Sequence, residues 1–367
     1  MDVLVRTDAS IDIGTGHVIR CLALAEALRA NGATCEFICR RYEGNLIDQI
    51  QRQGFEVHGL SIPKEGISED SGNEFEVQYD MRLGANWASD ARQTREILSG
   101  DVTADWMIVD HYALDARWER ELRPSCRRLM VIDDLADRPH DCDLLLDQNL
   151  GRLSADYADL VSGSCRVLAG PQFALLRPEF AALRRPSTER RESPSLKRLL
   201  VSLGGVDKNN VTGQVLEALK QCHLPSELRV TVVMGAHAPS LQEVIRLAAT
   251  MPWETEVRVD IKDIGNIMTE SDLAIGAAGT TAWERCCLGL PTLAIVLADN
   301  QRRGAEALAA CGAAFILNLD SLASELPEKL ALLLSGNNLE QMQQACLAVT
   351  DGNGIKKVVD VLMNSHG

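Results

Sequence analysis

Aromatic residues are scarce in this chain, at 4% of 367 positions. Few platforms are therefore available for stacking the bases of single-stranded nucleic acid. Positive charge is also in deficit. A formal net charge of −15 disfavours non-specific binding to phosphate backbones and to anionic membranes. No run approaches the roughly twenty apolar residues that cross a bilayer. Eleven cysteines are present, yet none forms a C-x-x-C pair, and Cys286 and Cys287 are adjacent. An odd cysteine count and no leader-like segment point to reduced thiols and a cytoplasmic protein. Neither a nucleic-acid nor a membrane partner is expected, and a monomer is.

What is present is an ordinary globular composition, 46% hydrophobic and 24% charged, in a chain long enough for two domains. The most informative stretch is VLVRTDASIDIGTGHVIRCLALA at 3–25. Val3, Leu4 and Val5 read as a buried strand. Gly14-Thr15-Gly16 then gives a backbone that a ligand can approach closely. Apolar residues at helical spacing follow from His17, which places this imidazole at a helix start, where an anion is favoured. The third glycine of a dinucleotide fingerprint would fall at position 19, which is Ile19, and no Gly-Lys-Ser/Thr closes a P-loop. The plain alternative for His17 is a helix cap.

Strand-like and helix-like segments alternate through the rest of the chain, which predicts parallel sheets wrapped by helices. Ligands bind at the carboxyl ends of strands in such sheets. Asp8, Asp110, His111, Tyr112, Asp133 and Asp134 all fall at such ends. Residues 63–85 are polar and acidic and read as an exposed excursion. The charged, proline-bearing residues 176–197 read as a linker. It would join an N-terminal domain at 1–175 to a C-terminal domain at 198–367, the two facing a central cleft. In the second half, Gly204-Gly205 ends one strand. GAAGTTAWERCCLGLP at 276–291 offers loop amides and the Thr280 and Thr281 hydroxyls to an anion, with Glu284 close behind. The run Asp133 to Asp143 invites a metal reading, but its spacing matches no ligand pattern. No metal or cofactor is expected.

These features resemble the GT-B architecture of nucleotide-sugar enzymes, an α/β fold of two Rossmann-like domains. The second half is similar to the UDP-binding domain of the N-acetylglucosaminyltransferases that make lipid II. Over nearly its full length the chain resembles the UDP-2,4-diacetamido-2,4,6-trideoxy-β-L-altropyranose hydrolases of pseudaminic acid biosynthesis. The residues that carry this are RTDASIDIGTGHVIRCLALA at 6–25, VDHY at 109–112 and DDLADRPHDCDLLLDQN at 133–149. GPQFALLRPEF at 170–180, SLGGVDKNN at 202–210, the 276–291 segment and DNQ at 299–301 complete it.

The resemblance implies hydrolysis of a UDP-sugar at the anomeric carbon with inversion, giving UDP and the free sugar. It places catalytic roles on His17, Tyr112 and Asn300. It also implies that the Ile264 backbone meets uracil, Glu284 the ribose, and Gly279, Thr280 and Thr281 the phosphates. Asp8, Gly14, Gly16, Asp110, Gly205 and Gln301 complete the expected substrate-binding set.

Elementary chemistry agrees with a single base. UDP departs with little need of a proton, whereas a glycosidase expelling an alkoxide needs two carboxylates. Asp8, Asp110 and other strand-end carboxylates are equally placed to orient His17. An inverting GT-B glycosyltransferase, with an acceptor hydroxyl in place of water, is the alternative. A binding protein without turnover is a third reading.

Overall fold

The structure is a computed structural model, and it describes residues 1–62, 83–98, 103–192 and 195–364. The excursion expected at 63–85 lies almost wholly outside them. The described chain forms two compact units, Met1–Leu175 with Ile355–Gly367, and Leu176–Gly354.

The first unit is built on a parallel sheet of seven strands: β1 (Asp2–Thr7), β2 (Thr34–Arg40), β3 (Glu56–Leu60), β4 (Ala104–Asp110), β5 (Cys126–Ile132), β6 (Leu144–Asp147) and β7 (Arg166–Ala169). Their order across the sheet is β3-β2-β1-β4-β5-β6-β7. Its strands read as continuous apolar runs because both faces are covered. Val3 and Val5 point into one buried cluster with Val18, Leu22 and Ile108. Leu4 points into the other with Met107, Val109 and Trp118. Strand order reverses between β1 and β4, which pair with Thr7 opposite Asp110. That reversal opens the crevice where ligands of such sheets bind.

The second unit repeats the plan with six parallel strands: β8 (Arg198–Ser202), β9 (Arg229–Met234), β10 (Glu254–Val259), β11 (Leu273–Ala277), β12 (Thr292–Ile295) and β13 (Phe315–Leu317). The order β10-β9-β8-β11-β12-β13 puts its reversal between β8 and β11. Gly204-Gly205 and the 276–281 loop leave the sheet there.

Two expected boundaries differ. Residues 176–197, read as a linker, hold the helix Pro178–Arg190. Its Arg184 donates to the carbonyls of Cys287, Leu347 and Thr350, so its polar side chains serve packing within the second unit. Residues 355–364, assigned to the second domain, return to the first unit. There Ile355, Val358, Val359 and Leu362 are buried with Val3 and Leu28.

Candidate functional site

In the first unit the loop after β1 is shaped by its own polar atoms. The Ser10 hydroxyl accepts from the amides of Asp12 and Ile13, and the Ser10 carbonyl accepts from the Gly14 amide. Gly14 has φ +82° and open space where a Cβ would stand. The helix Gly16–Ala30 begins at once, with His17 buried in its first turn.

The His17 Nδ1 lies 2.6 Å from Asp110 Oδ1. Burial alone would raise the Asp110 pKa, but Arg20 and His17 outweigh it and hold this carboxyl well below the usual range. An ionised carboxylate only accepts, so Nδ1 carries a proton toward it, and in the neutral ring Nε2 is the nitrogen with the lone pair. Nε2 makes no hydrogen bond among the described residues. A base with its other nitrogen held by a buried carboxylate is the arrangement that fixes tautomer and orientation in histidine-based catalysis.

Three residues on from His17, and so on the same helix face, Arg20 clamps this pair. It donates Nε to Asp110 Oδ2 at 2.6 Å and Nη2 to Oδ1 at 2.7 Å. Its Nη1 reaches Asp134 at 2.8 Å. Asp134 also accepts from the Tyr112 hydroxyl at 2.9 Å and from Asn149 at 3.1 Å. The Tyr112 ring stands edge-on to the imidazole, centroids 4.4 Å apart. His17, Asp110 and Tyr112, expected from the sequence, are thus brought together. Asp134, noted at a strand end, joins them, as do Arg20 and Asn149, which were not singled out. The only signal in the sequence was that a helical arginine lay one turn from the histidine and two carboxylates ended neighbouring strands.

Asp8 is a correction. It was expected at the substrate, but it is fully buried and faces inward. Its oxygens are 2.7 Å from Arg6 and 2.6 Å from the Arg40 amide. Arg6 and Arg40 share Asp90 as well. Burial would raise its pKa, but the Arg6 guanidinium and the Arg40 amide outweigh burial and hold the carboxyl below its ordinary value. The carboxylate has no open face for a ligand. Behind it His111 takes the Ala113 amide on Nδ1, and burial pushes its pKa down to about 4, so it is neutral.

The acidic run after β5 is spent on internal partners. Asp133 meets Arg138 at 3.0 Å and Tyr157 at 2.9 Å. Asp137 pairs with Arg138, Asp141 with Arg120, Asp143 with Arg123, and His140 with Glu119. Among the described residues, the group with metal-ligand spacing is instead Glu36, Glu56 and His58. It lies on β2 and β3, and His58 already bonds Glu36 at 2.7 Å.

In the second unit, Gly279, Thr280 and Thr281 follow β11 with amides that make no backbone hydrogen bond among the described residues. The Gln301 carbonyl oxygen accepts from Leu297, which leaves its NH2 group beside Gly279. A Cβ on that glycine would lie 3.4 Å from Gln301 Nε2. Glu284 is half-buried. Burial pushes its pKa up to about 7, against the pull of Arg177 and Arg285. Ile264 opens the helix Ile264–Glu270, and Asn300 is exposed in the first turn of Asp299–Ala310.

Gly205 is open at the surface, but the helix end beyond it is taken. The Asp207 carboxylate accepts from the amides of Val211 and Thr212, each at 2.8 Å. An anion at that terminus would meet a carboxylate, so only the Gly204-Gly205 backbone itself is available.

The chain has the GT-B fold: two Rossmann-like units, each with an open loop at its own strand-order reversal. Residues 199–360 match the model of the glycosyltransferase family 28 C-terminal domain. The chain is 27% identical over 314 residues to the UDP-2,4-diacetamido-2,4,6-trideoxy-β-L-altropyranose hydrolase of Campylobacter jejuni, covering 85% of this chain and 97% of that protein. Among solved structures it is similar to the Acinetobacter baumannii MurG, with TM-score 0.66, 18% identity and 99% of each chain covered. It is also similar to TcCGT1, solved in complex with UDP, with TM-score 0.65, 12% identity, and 100% and 99% covered. Among the described residues no helix is long and apolar enough to cross a membrane.

Proposed function

We propose that this protein is an enzyme acting on a UDP-sugar, and that it hydrolyses the anomeric C–O bond with inversion to give UDP and a free sugar. The substrate proposed is UDP-2,4-diacetamido-2,4,6-trideoxy-β-L-altropyranose, on the strength of the likeness to the Campylobacter hydrolase. The observation that carries the reading is the His17–Asp110 pair, with Nε2 left as a base. In this mechanism Nε2 takes a proton from water as the water oxygen attacks the anomeric carbon. The electrons of the breaking bond leave with the UDP phosphate.

Asp110 stabilises the imidazolium that forms, while Arg20 and Asp134 hold Asp110 and Tyr112 in place. Tyr112 and Asn300 are proposed to contact the reacting sugar or water. In the second unit the 279–281 amides and Gln301 are assigned to the diphosphate, Glu284 to the ribose and the Ile264 backbone to uracil. A cytoplasmic monomer that works without a metal completes the reading.

The family 28 domain match favours a second reading, transfer of the sugar to an acceptor hydroxyl by the same base. Incubation with a panel of UDP-sugars in 18O-water separates the two. Hydrolysis predicts UDP release without acceptor, label on the sugar and an inverted first-formed anomer. Release that needs an acceptor would favour transfer, and label on UDP would mean attack at phosphorus.

A further inference from the structure

Arg285 has an unusual position for a charged side chain. It is 1% exposed, and among the described residues it donates only to the Ala277 carbonyl at 2.6 Å and the Thr281 hydroxyl at 3.2 Å. Its Nε has no hydrogen-bond partner among the described residues. Among the described residues no carboxylate lies within ion-pair distance of it. The other deeply buried arginines are compensated. Arg6 and Arg40 meet Asp90, Arg20 meets Asp110, and Arg191 donates to the carbonyls of Ser187, Met268, Thr269, Ser271 and Leu288. Arg191 thus has five carbonyls to spread its charge where Arg285 has two acceptors, and a buried guanidinium so poorly matched destabilises a fold, which leaves a place for a partner outside the protein.

The location says where that partner would sit. The guanidinium lies against the 276–281 loop, and a Cβ on Gly276 would come 2.6 Å from Nη1. The glycine is what admits it. Because Arg285 donates to the Thr281 oxygen, the proton of that hydroxyl remains for another acceptor. The unpaired amides of Gly279, Thr280 and Thr281 belong to the same loop. Burial draws the Arg285 pKa down, offset in part by Cys286 and Glu284, and a dianionic ligand on the loop would restore the balance.

We propose that Arg285 is a positioning residue for a nucleoside diphosphate, acting through the Thr281 hydroxyl and completing its own charge balance only when the diphosphate is bound. This rests on the assignment of the 279–281 loop to the UDP phosphates, and it adds a group that never touches the ligand.

The test compares UDP with uridine by calorimetry on wild type, Arg285→Met and Arg285→Lys, with thermal melts of each free protein. The Met variant should melt at or above the wild-type temperature, since an apolar chain replaces an unpaired charge. Its uridine affinity should stay within about twofold while UDP binding weakens about tenfold or more, and Lys should recover much of that loss.

UDP affinity unchanged in the Met variant would overturn the proposal, as would a parallel loss of UDP and uridine. A Met variant melting well below wild type would assign Arg285 to the fold instead. Wild type that binds neither UDP nor uridine would sink the UDP assignment along with it. No arm requires turnover, so failure of the hydrolase reading alone leaves the comparison readable.

Discussion

His17 and Glu284 face opposite demands. The histidine must lose no proton from Nδ1 and gain one at Nε2, and Asp110 at 2.6 Å secures the first. His17→Gln keeps a polar side chain but has no basic nitrogen. It should reduce turnover about a hundredfold or more, while UDP affinity by calorimetry stays near wild type. Asp110→Asn should also slow turnover, because the amide lets Nδ1 become the acceptor. Near-full activity in either variant would return His17 to the role of a helix cap. Glu284 is the converse case, a carboxyl whose pKa burial raises to about 7. Ribose hydroxyls donate best to the ionised form, so UDP should bind more tightly above pH 7 and take up less as pH falls through it. Glu284→Ala should cost roughly 1.5–3 kcal/mol of UDP binding and flatten that pH dependence. A flat wild-type profile would count against the ribose assignment.

At the scale of elements, β6 ends in an arrangement with too few protons. The Tyr157 hydroxyl stands 2.9 Å from Asp133 and 2.8 Å from Asp147, yet it has one proton to give. Asp133 is held ionised, burial being outweighed by Arg138 and His140. Burial and the nearby Asp134 instead raise Asp147 to about 7, against Arg152 at 3.0 Å and the Asn149 amide, so Asp147 is the group able to hold the second proton below that pH. In the unfolded chain this group titrates near its ordinary value of about 3.9. Between there and about 7 the folded protein binds the extra proton, so stability is highest below the window and falls as pH rises through it. Asp147→Asn mimics the protonated form. Its melting temperature should gain on wild type by a few degrees as pH rises from about 4 to about 7, and the gain should level off above that. A constant difference would show that Asp147 is already ionised.

Legibility in the sequence divides along the same physical lines. Val3-Leu4-Val5 was readable because a parallel strand buried on both faces is apolar throughout. The His17 loop was readable because its glycines and helix start are contiguous. Asp110 could not be preferred over Asp8 from sequence. The choice depends on which strand end receives Arg20 and which receives Arg6, a matter of register. Arg20 and Arg285 passed unnoticed because arginines on helices usually face water. The helix Pro178–Arg190 was misread for a related reason: its Arg184 and Ser187 bond backbone carbonyls of the second unit rather than solvent. β7 and β13, of four and three residues, are too short to show a period.

At the scale of the whole molecule, the chain closes on itself. It begins in the first unit, builds the second, and returns with the helix Gly354–Asn364. That return is not a surface decoration. Ile355, Val358, Val359 and Leu362 are each at most 5% exposed and share a cluster with Val3, Cys21, Leu28 and Phe37. Burying four such side chains contributes roughly 1.5–3 kcal/mol each, together about the size of a typical domain's net stability of roughly 5–15 kcal/mol. A chain ending at Asn353 should therefore lose the first unit selectively, though the deletion is more than 300 residues from β1 in sequence. Limited proteolysis followed by mass spectrometry reads this directly. Early cuts should fall in Met1–Leu175, and a resistant fragment should begin near Leu176. UDP binding should survive in that fragment if the nucleotide assignment is right, while turnover should vanish with His17's framework. Equal resistance of both units would mean the helix only covers the first sheet, and simultaneous loss of both would mean that they fold as one cooperative body.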